Sequence, residues 1–493
     1  MTFVKHVYFY FLIAGFLLLT SLRYSDTITS QQEDYRVFRT VLESKEGTLD
    51  MHLSSDSISY YLDQLQVELS DDKSDLEEFK LYSEMIARLD QGHTQVLNNK
   101  KIQAEWLLEK KSLPIDMYLV GRHLVVGEII QDDYDKTIRD NDPMGGPSEI
   151  PVGSEILSID NKTVPEMMEG IGKYLSGDEG AMGFKYYQAQ ELFEFYRHLA
   201  FPLDKDSVEV TYISPKSDTV QKYMQPGKAP IHSMNRRLMQ ASTDYVENEG
   251  NHGKFKIVSG KYGYFRFTSF AQSSGAEYEL FLEESFRKLK KNNIDELVVD
   301  LRGNTGGVMQ YDFIKYFVGG GVNIGRYVIA KPFKGLDNKY VKKMNMPFIR
   351  YAFLSWSQKR SVKNGTFDNG TVYTDPVDND LRFKGKISVI TDEGTFSSAA
   401  ILACHLKTLA NAKIVGRPAG GSFYSGNAGT LLVKLPESGL LISVNPNTFY
   451  SHLKPVDNPL DIRQPDTYVN DLVLDEKERN KLYFNAAIGL FKD

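Results

Sequence analysis

Apolar positions recur every three to four residues through the first part of the chain, and that period predicts helices. Ile58, Tyr61, Leu62, Leu65 and Leu69 fall on one stripe, the arrangement that turns one face of a helix toward a core. A second helix opens at Ser74, with Glu77 three residues on as a capping box. Its stripe is Phe79, Tyr82, Met85, Ile86 and Leu89. Asp90-Gln91-Gly92 ends it, and His93 follows at once. We read residues 27–110 as a helical region. From 111 to 228 the pattern shortens to strands. Tyr118 to Ile130 is β-rich, DNDPMGGPSEIP is a loop, and VGSEILSIDNKTV is a strand and tight turn leading into a helical stretch from Pro165 to Leu175. The strand SVEVTYI closes this unit.

A third pattern fills residues 229–493. GKYGYFRFTSF predicts a strand and Gly275 to Lys291 an amphipathic helix. ELVVDL is a continuous apolar run, which implies a strand covered on both faces. RGNTGG is a glycine turn into another helix. KISVIT, the stretch from Ser397 and AKIVGRP then repeat the strand, turn, helix, strand rhythm of an α/β fold. Residues 331–375 interrupt that rhythm as a long insertion rich in lysine and aromatics (Tyr340, Phe348, Tyr351, Phe353, Trp356). A lid or groove wall and a solvated surface elaboration are both open readings of it.

The chemistry concentrates in DEGTFSSAAILACHL, Asp392 to Leu406. A glycine turn becomes a small-residue helix with Ser397 at the junction. There the hydroxyl lies beside backbone N–H groups that have no intrahelical acceptor, the setting for a nucleophile next to an oxyanion hole. The competing reading makes Ser397 or Ser398 a simple helix cap. In DLRGNTGG, Asp300 to Gly307, the glycines allow backbone to approach a substrate carbonyl at the head of a helix. Gly306 or Gly307, with the N–H of Ser398, would bind an oxyanion, while Asp300 and Arg302 brace the turn. A phosphate cradle or a plain helix start would use the same glycines, but no GxxxxGK[ST] signature supports nucleotides.

Composition narrows the partners. The chain has 493 residues and a net charge of −7, with 41% hydrophobic and 25% charged residues. That is a folded, mildly acidic multidomain chain with no overall basic character to favour nucleic acid. Cys404 is the single cysteine, so neither an intrachain disulfide nor a Cys/His metal cluster is available. Lys5 and His6 precede an apolar run from Val7 to Leu19. This predicts a secretory leader over residues 1–26, or an uncleaved anchor centred on residues 7–22, and hence export to the periplasm or cell envelope. The run is shorter than the ~20 residues of a usual spanning helix.

Three pieces together resemble the serine peptidase family of C-terminal processing proteases and the tricorn core protease: ELVVDLRGNTGG, the Ser397 turn with AKIVGRPAGG, and GSEILSIDNKTV, which is similar to part of a PDZ domain. Any small β-sandwich is the alternative for this last unit. The resemblance implies a ClpP/crotonase-like catalytic domain of stacked ββα units and hydrolysis of peptide bonds of a polypeptide substrate, without metal or organic cofactor. It implies Ser397 as nucleophile. One branch of the family carries a lysine base where this chain has Ser422. The tricorn-like branch uses a histidine, and Asp90-Gln91-Gly92-His93-Thr94 resembles its element, which implies His93 as base. That branch also has a glutamate before a stretch matching HLKPVDNPLDIRQPD. No glutamate stands there in this chain, and Asp457 and Asp461 are the nearest carboxylates. A catalytically silent peptide binder and an esterase or amidase remain the rival functions. Oligomeric state is not legible.

Overall fold

The computed structural model describes residues 30–97, 102, 111–127, 150–228, 253–270, 275–329, 340–344, 367–453 and 462–492, apart from gaps of up to three residues within these spans. The N-terminal apolar run, Asp457 and Asp461 lie outside the described residues. Among the described residues no helix is long and apolar enough to cross a membrane.

A six-stranded sheet carries the C-terminal part. Its spatial order is Lys254–Val258, Tyr262–Arg266, Glu296–Asp300, Lys386–Thr391, Lys413–Gly416 and Thr467–Tyr468. The first pair is antiparallel and every other pair parallel, with Val299 opposite Val389 in the centre. The apolar run of ELVVD demands cover on both faces, and both are covered. On one side pack the helices Gly275–Lys291, Gln310–Val318 and Ser398–Leu409, through Tyr278, Phe286, Phe313, Ala399 and Leu402. On the other the C-terminal helix Glu476–Gly489 lays Tyr483 and Ala487 on Val298, Ile390 and Val415.

The N-terminal helices are Ser30–Lys45, Ser55–Glu68 and Asp75–Ala87. Ile58, Leu62, Leu65 and Leu69 are buried, as are Phe79, Tyr82, Met85, Ile86 and Leu89. The Ser74–Glu77 capping box is formed in both directions. One segment of the region read as helical, Gln95–Leu97, is not helix. Gln95–Leu97 is a strand paired with Leu441–Val444, and Lys111–Ser112 pairs with Gly227–Lys228. These partners lie hundreds or more than one hundred residues downstream, so the local period carries no trace of them.

The middle unit holds a sheet ordered Met117–Val120, His123–Val126, Glu155–Ile159, Val208–Ile213, Thr219–Met224, with Lys162–Thr163 on Glu155–Ile159. The expected helix after NKTV is Val164–Ile171, capped by Thr163 and Glu166. Two further helices, Met182–Ala189 and Phe193–Ala200, occupy sequence we read as strand territory. Neither has a side-chain N-cap bond, so the usual start signal is missing. One buried cluster joins the N-terminal helices, this unit and the Leu431–Val444 hairpin. Of the insertion, Val341–Met344 pairs with Leu431–Lys434, and Phe367–Tyr373 with Asn323–Ile329. Its flanks are therefore sheet strands, and Phe348, Tyr351, Phe353 and Trp356 lie outside the described residues.

Candidate active site

Ser397 stands at the end of the turn after Lys386–Thr391, at φ 53° and ψ −128°. Positive φ strains a residue with a Cβ. The side chain makes no cap hydrogen bond, so the helix-cap reading does not describe Ser397. Hydrogen bonds from all sides hold the turn in this conformation. Asp392 Oδ1 accepts the N–H of Gly303 at 2.8 Å and of Gly394 at 3.0 Å. The Thr395 hydroxyl donates to Leu301 O at 3.0 Å, and Phe396 N–H to Asn304 O at 3.0 Å. The two glycine turns found in the sequence are thus stitched into one object. A Cβ on Gly306 would lie 2.8 Å from Ser397 Cβ, and one on Gly421 would lie 2.7 Å from the Ser397 nitrogen. Glycine is required at both places for the chains to pass.

Of the oxyanion candidates, Gly306 donates its N–H to Asn304 Oδ1 at 2.9 Å. That donor is already engaged within the turn, which corrects the expectation at this position and leaves Gly307 with Ser398. Ser398 is the first residue of the helix, where backbone N–H groups lack intrahelical partners. The brace at Asp300 and Arg302 is built as expected. Asp300 is fully buried and accepts from Arg302 Nε and Arg266 Nη1, each at 3.0 Å, and from Tyr264 Oη at 2.9 Å. Burial pushes its carboxyl up, but the two guanidiniums outweigh burial and hold it down at about 2.

His93 Nε2 lies 2.9 Å from Ser397 Oγ, across 304 residues of sequence. The imidazole packs on the Phe396 ring with centroids 4.8 Å apart. Its backbone is held on each side. Ser443 Oγ donates to His93 O at 3.1 Å, Ser176 Oγ to Thr94 O at 2.5 Å, and Thr94 Oγ1 to the buried Glu46 carboxylate at 2.6 Å. Gly92 N–H donates to Asp178 Oδ1 at 3.0 Å. A Cβ on Gly92 would fall 2.5 Å from Phe396 Cζ, which explains why glycine precedes this histidine. Ser422, which stands where a lysine base would be sought, donates its N–H to Asp178 Oδ2 at 2.7 Å.

Sequence reasoning found Ser397 and His93 but missed Glu46, Asp178 and Phe396 as parts of the site. Their signals are weak: Glu46 and Asp178 sit in Gly/acid-rich stretches that read as surface loops. Among the described residues, the carboxylates of Glu279, Asp312 and Asp375 converge closely enough to hold a cation. Glu279 stands on the Gly275–Lys291 helix, Asp312 in the first turn of the Gln310–Val318 helix and Asp375 just after the Phe367–Tyr373 strand; none is a residue of the Ser397 site, and Glu279 is paired with Lys315 at 3.1 Å.

Part of the chain is similar to known peptidases. Residues 261–452 match the model of peptidase family S41. The carboxy-terminal processing protease CtpB of Bacillus subtilis (strain 168) is 25% identical over 219 residues, 43% of this chain and 36% of that protein. The chain thus spans little over a third of the curated relative it matches. Mature CPAF complexed with lactacystin is similar over 94% of this chain and 96% of that one, with a TM-score of 0.57 and 14% identity. Mature CPAF alone gives 0.56 and 14%, over 94% and 95%. At these identities the likeness to solved structures is one of fold. Residues 261–452 thus resemble a peptidase family S41 domain.

Proposed function

We propose that this protein is an exported serine endopeptidase acting on unfolded proteins or peptides. The observation that carries the proposal is the 2.9 Å contact between His93 Nε2 and Ser397 Oγ at a strained, uncapped serine. Ser397 attacks the scissile carbonyl while His93 takes its proton on Nε2, which requires the tautomer protonated at Nδ1. The amides of Gly307 and Ser398 receive the oxyanion; each such donor lowers a barrier by ~3 kcal/mol. His93 returns the proton to the leaving amine, and water hydrolyses the acyl-enzyme. Asp457 or Asp461 is our proposed orienting acid. The middle unit, read as PDZ-like, would hold a peptide by adding it as a strand. Residues 1–26 would direct export. The mechanism uses no metal or organic cofactor.

The strained serine favours this reading over a silent peptide binder, because a binder has no use for such a conformation. A fluorophosphonate probe and casein hydrolysis test it. Labelling and hydrolysis should both vanish in Ser397→Ala and fall at least ~10³-fold in His93→Ala. Equal hydrolysis in wild type and Ser397→Ala would overturn it. Rapid turnover of simple esters with no cleavage of casein would move the assignment to an esterase.

A further inference from the structure

Asp178 takes no part in the steps above. It stands between the Val164–Ile171 and Met182–Ala189 helices and is 7% exposed. Its two oxygens are divided between segments far apart in sequence: Oδ1 accepts the Gly92 N–H at 3.0 Å and Oδ2 the Ser422 N–H at 2.7 Å. Gly92 immediately precedes His93. Ser422 follows Gly421, the glycine pressed against the Ser397 nitrogen. One carboxylate therefore joins the segment that carries the imidazole to the segment that supports the serine.

The side-chain chemistry suits this task. A carboxylate is acceptor-only and offers two oxygens to two N–H donors. Asparagine offers one oxygen and an NH2 that would meet the second N–H as donor against donor. The same loop acts again one residue beyond the imidazole, where Ser176 holds the Thr94 carbonyl. Gln188 Nε2 in turn donates to Ser176 O at 2.5 Å, which ties the loop to the Met182–Ala189 helix. Phe184 on that helix stacks on Phe396 with ring centroids 3.7 Å apart. The ring under His93 and the carboxylate beside it are thus referenced to the same loop and helix.

We propose that Asp178 is a positioning residue: it sets the separation of imidazole and hydroxyl through the Gly92 and Ser422 amides, without touching the reacting atoms. The proposal rests on the Ser397–His93 reading for its catalytic half. Its structural half, the stapling of the two segments, stands independently.

The full chain is compared as wild type, Asp178→Asn, Asp178→Glu and Ser397→Ala. The measurements are fluorophosphonate labelling rate, kcat and KM on casein, and amide hydrogen exchange, with rates corrected for folded fraction. In Asp178→Asn, labelling and kcat should fall ~10- to 100-fold, as expected for a misplacement of about an ångström. KM should stay within about threefold. Exchange should rise together in residues 90–96 and 419–425 and stay unchanged in 296–300. Asp178→Glu keeps both acceptors and should recover part of the loss. If Asp178→Asn does not fold, Asp178→Glu carries the test, with labelling about threefold or more below wild type. Labelling and kcat at wild-type level in the folded variant overturn the proposal, as does exchange that rises in neither segment or in only one. If wild type is neither labelled nor distinguishable from Ser397→Ala, the peptidase reading fails; exchange then decides the staple, upheld by a joint rise and overturned without one.

Discussion

Two glycines beside Ser397 and His93 are fixed by what they touch. Gly92 has no room for a Cβ between Phe396 and Asp178. In Gly92→Ala, either the ring moves or the loop lifts, and both shift the imidazole. We expect kcat to fall ~10- to 100-fold with the fold retained, measured as casein hydrolysis beside a thermal midpoint. Gly306 is a harsher case, since its φ is +101° and a Cβ would also strike Ser397. Gly306→Ala should cost ~1 kcal/mol for the backbone and ~1–3 kcal/mol for the overlap. Denaturant unfolding checks this, and an unchanged midpoint would refute the packing account. The identity of each residue is visible in the sequence. The neighbour that forbids anything larger is not.

At the level of elements, the strand Glu296–Asp300 ends in a carboxylate that has been drawn into the protein by two guanidiniums. Arg302 reaches onward to Asn480 Oδ1 at 2.8 Å and lies over the Tyr483 ring, so the glycine turn after this strand is tied to the C-terminal helix. Asp300 is depressed from 3.8 to about 2. Its contribution to stability is therefore complete above the unfolded value and is lost as pH falls from about 4 toward about 2. Asp300→Asn should flatten that part of the stability curve while lowering the plateau, because it leaves buried guanidinium charge unpaired. A series of thermal melts across this window reads both effects. The strand, its burial and its bracing role were legible in ELVVDLRGN; the arginine from the neighbouring strand was not. Helices Met182–Ala189 and Phe193–Ala200 were missed for a related reason. Their stability comes from packing Phe184, Phe193 and Phe195 into existing surfaces, not from caps.

For the whole molecule, a second titration sits where a helix meets a sheet. His405, on the helix that begins after Ser397, is 2% exposed and sits 3.0 Å from Ser451 Oγ on a strand of a different sheet. Burial, with the neighbouring His452, pushes its pKa down from 6.5 to about 3. The unfolded chain binds a proton that the folded chain refuses, so stability falls as pH drops from about 6.5 toward about 3. Unfolding midpoints should decline through this range in wild type and decline less steeply in His405→Gln. Equal slopes would show that the histidine does not govern the junction between helix and sheet.

Local pattern determined the N-terminal helices, the α/β rhythm after residue 255, and the serine at a glycine turn, because each is set by residues within a few positions of one another. Proximity of Ser397 and His93 was an inference from resemblance until the tertiary structure set their atoms 2.9 Å apart. Coordinates alone decided that Gly306 spends its N–H inside the turn, that Gln95–Leu97 is a strand, and that Asp178 binds two distant amides. Each of these depends on a partner 86 to 348 residues away or on a close local turn geometry, and neither periodicity nor composition records which distant groups the chain will bring together.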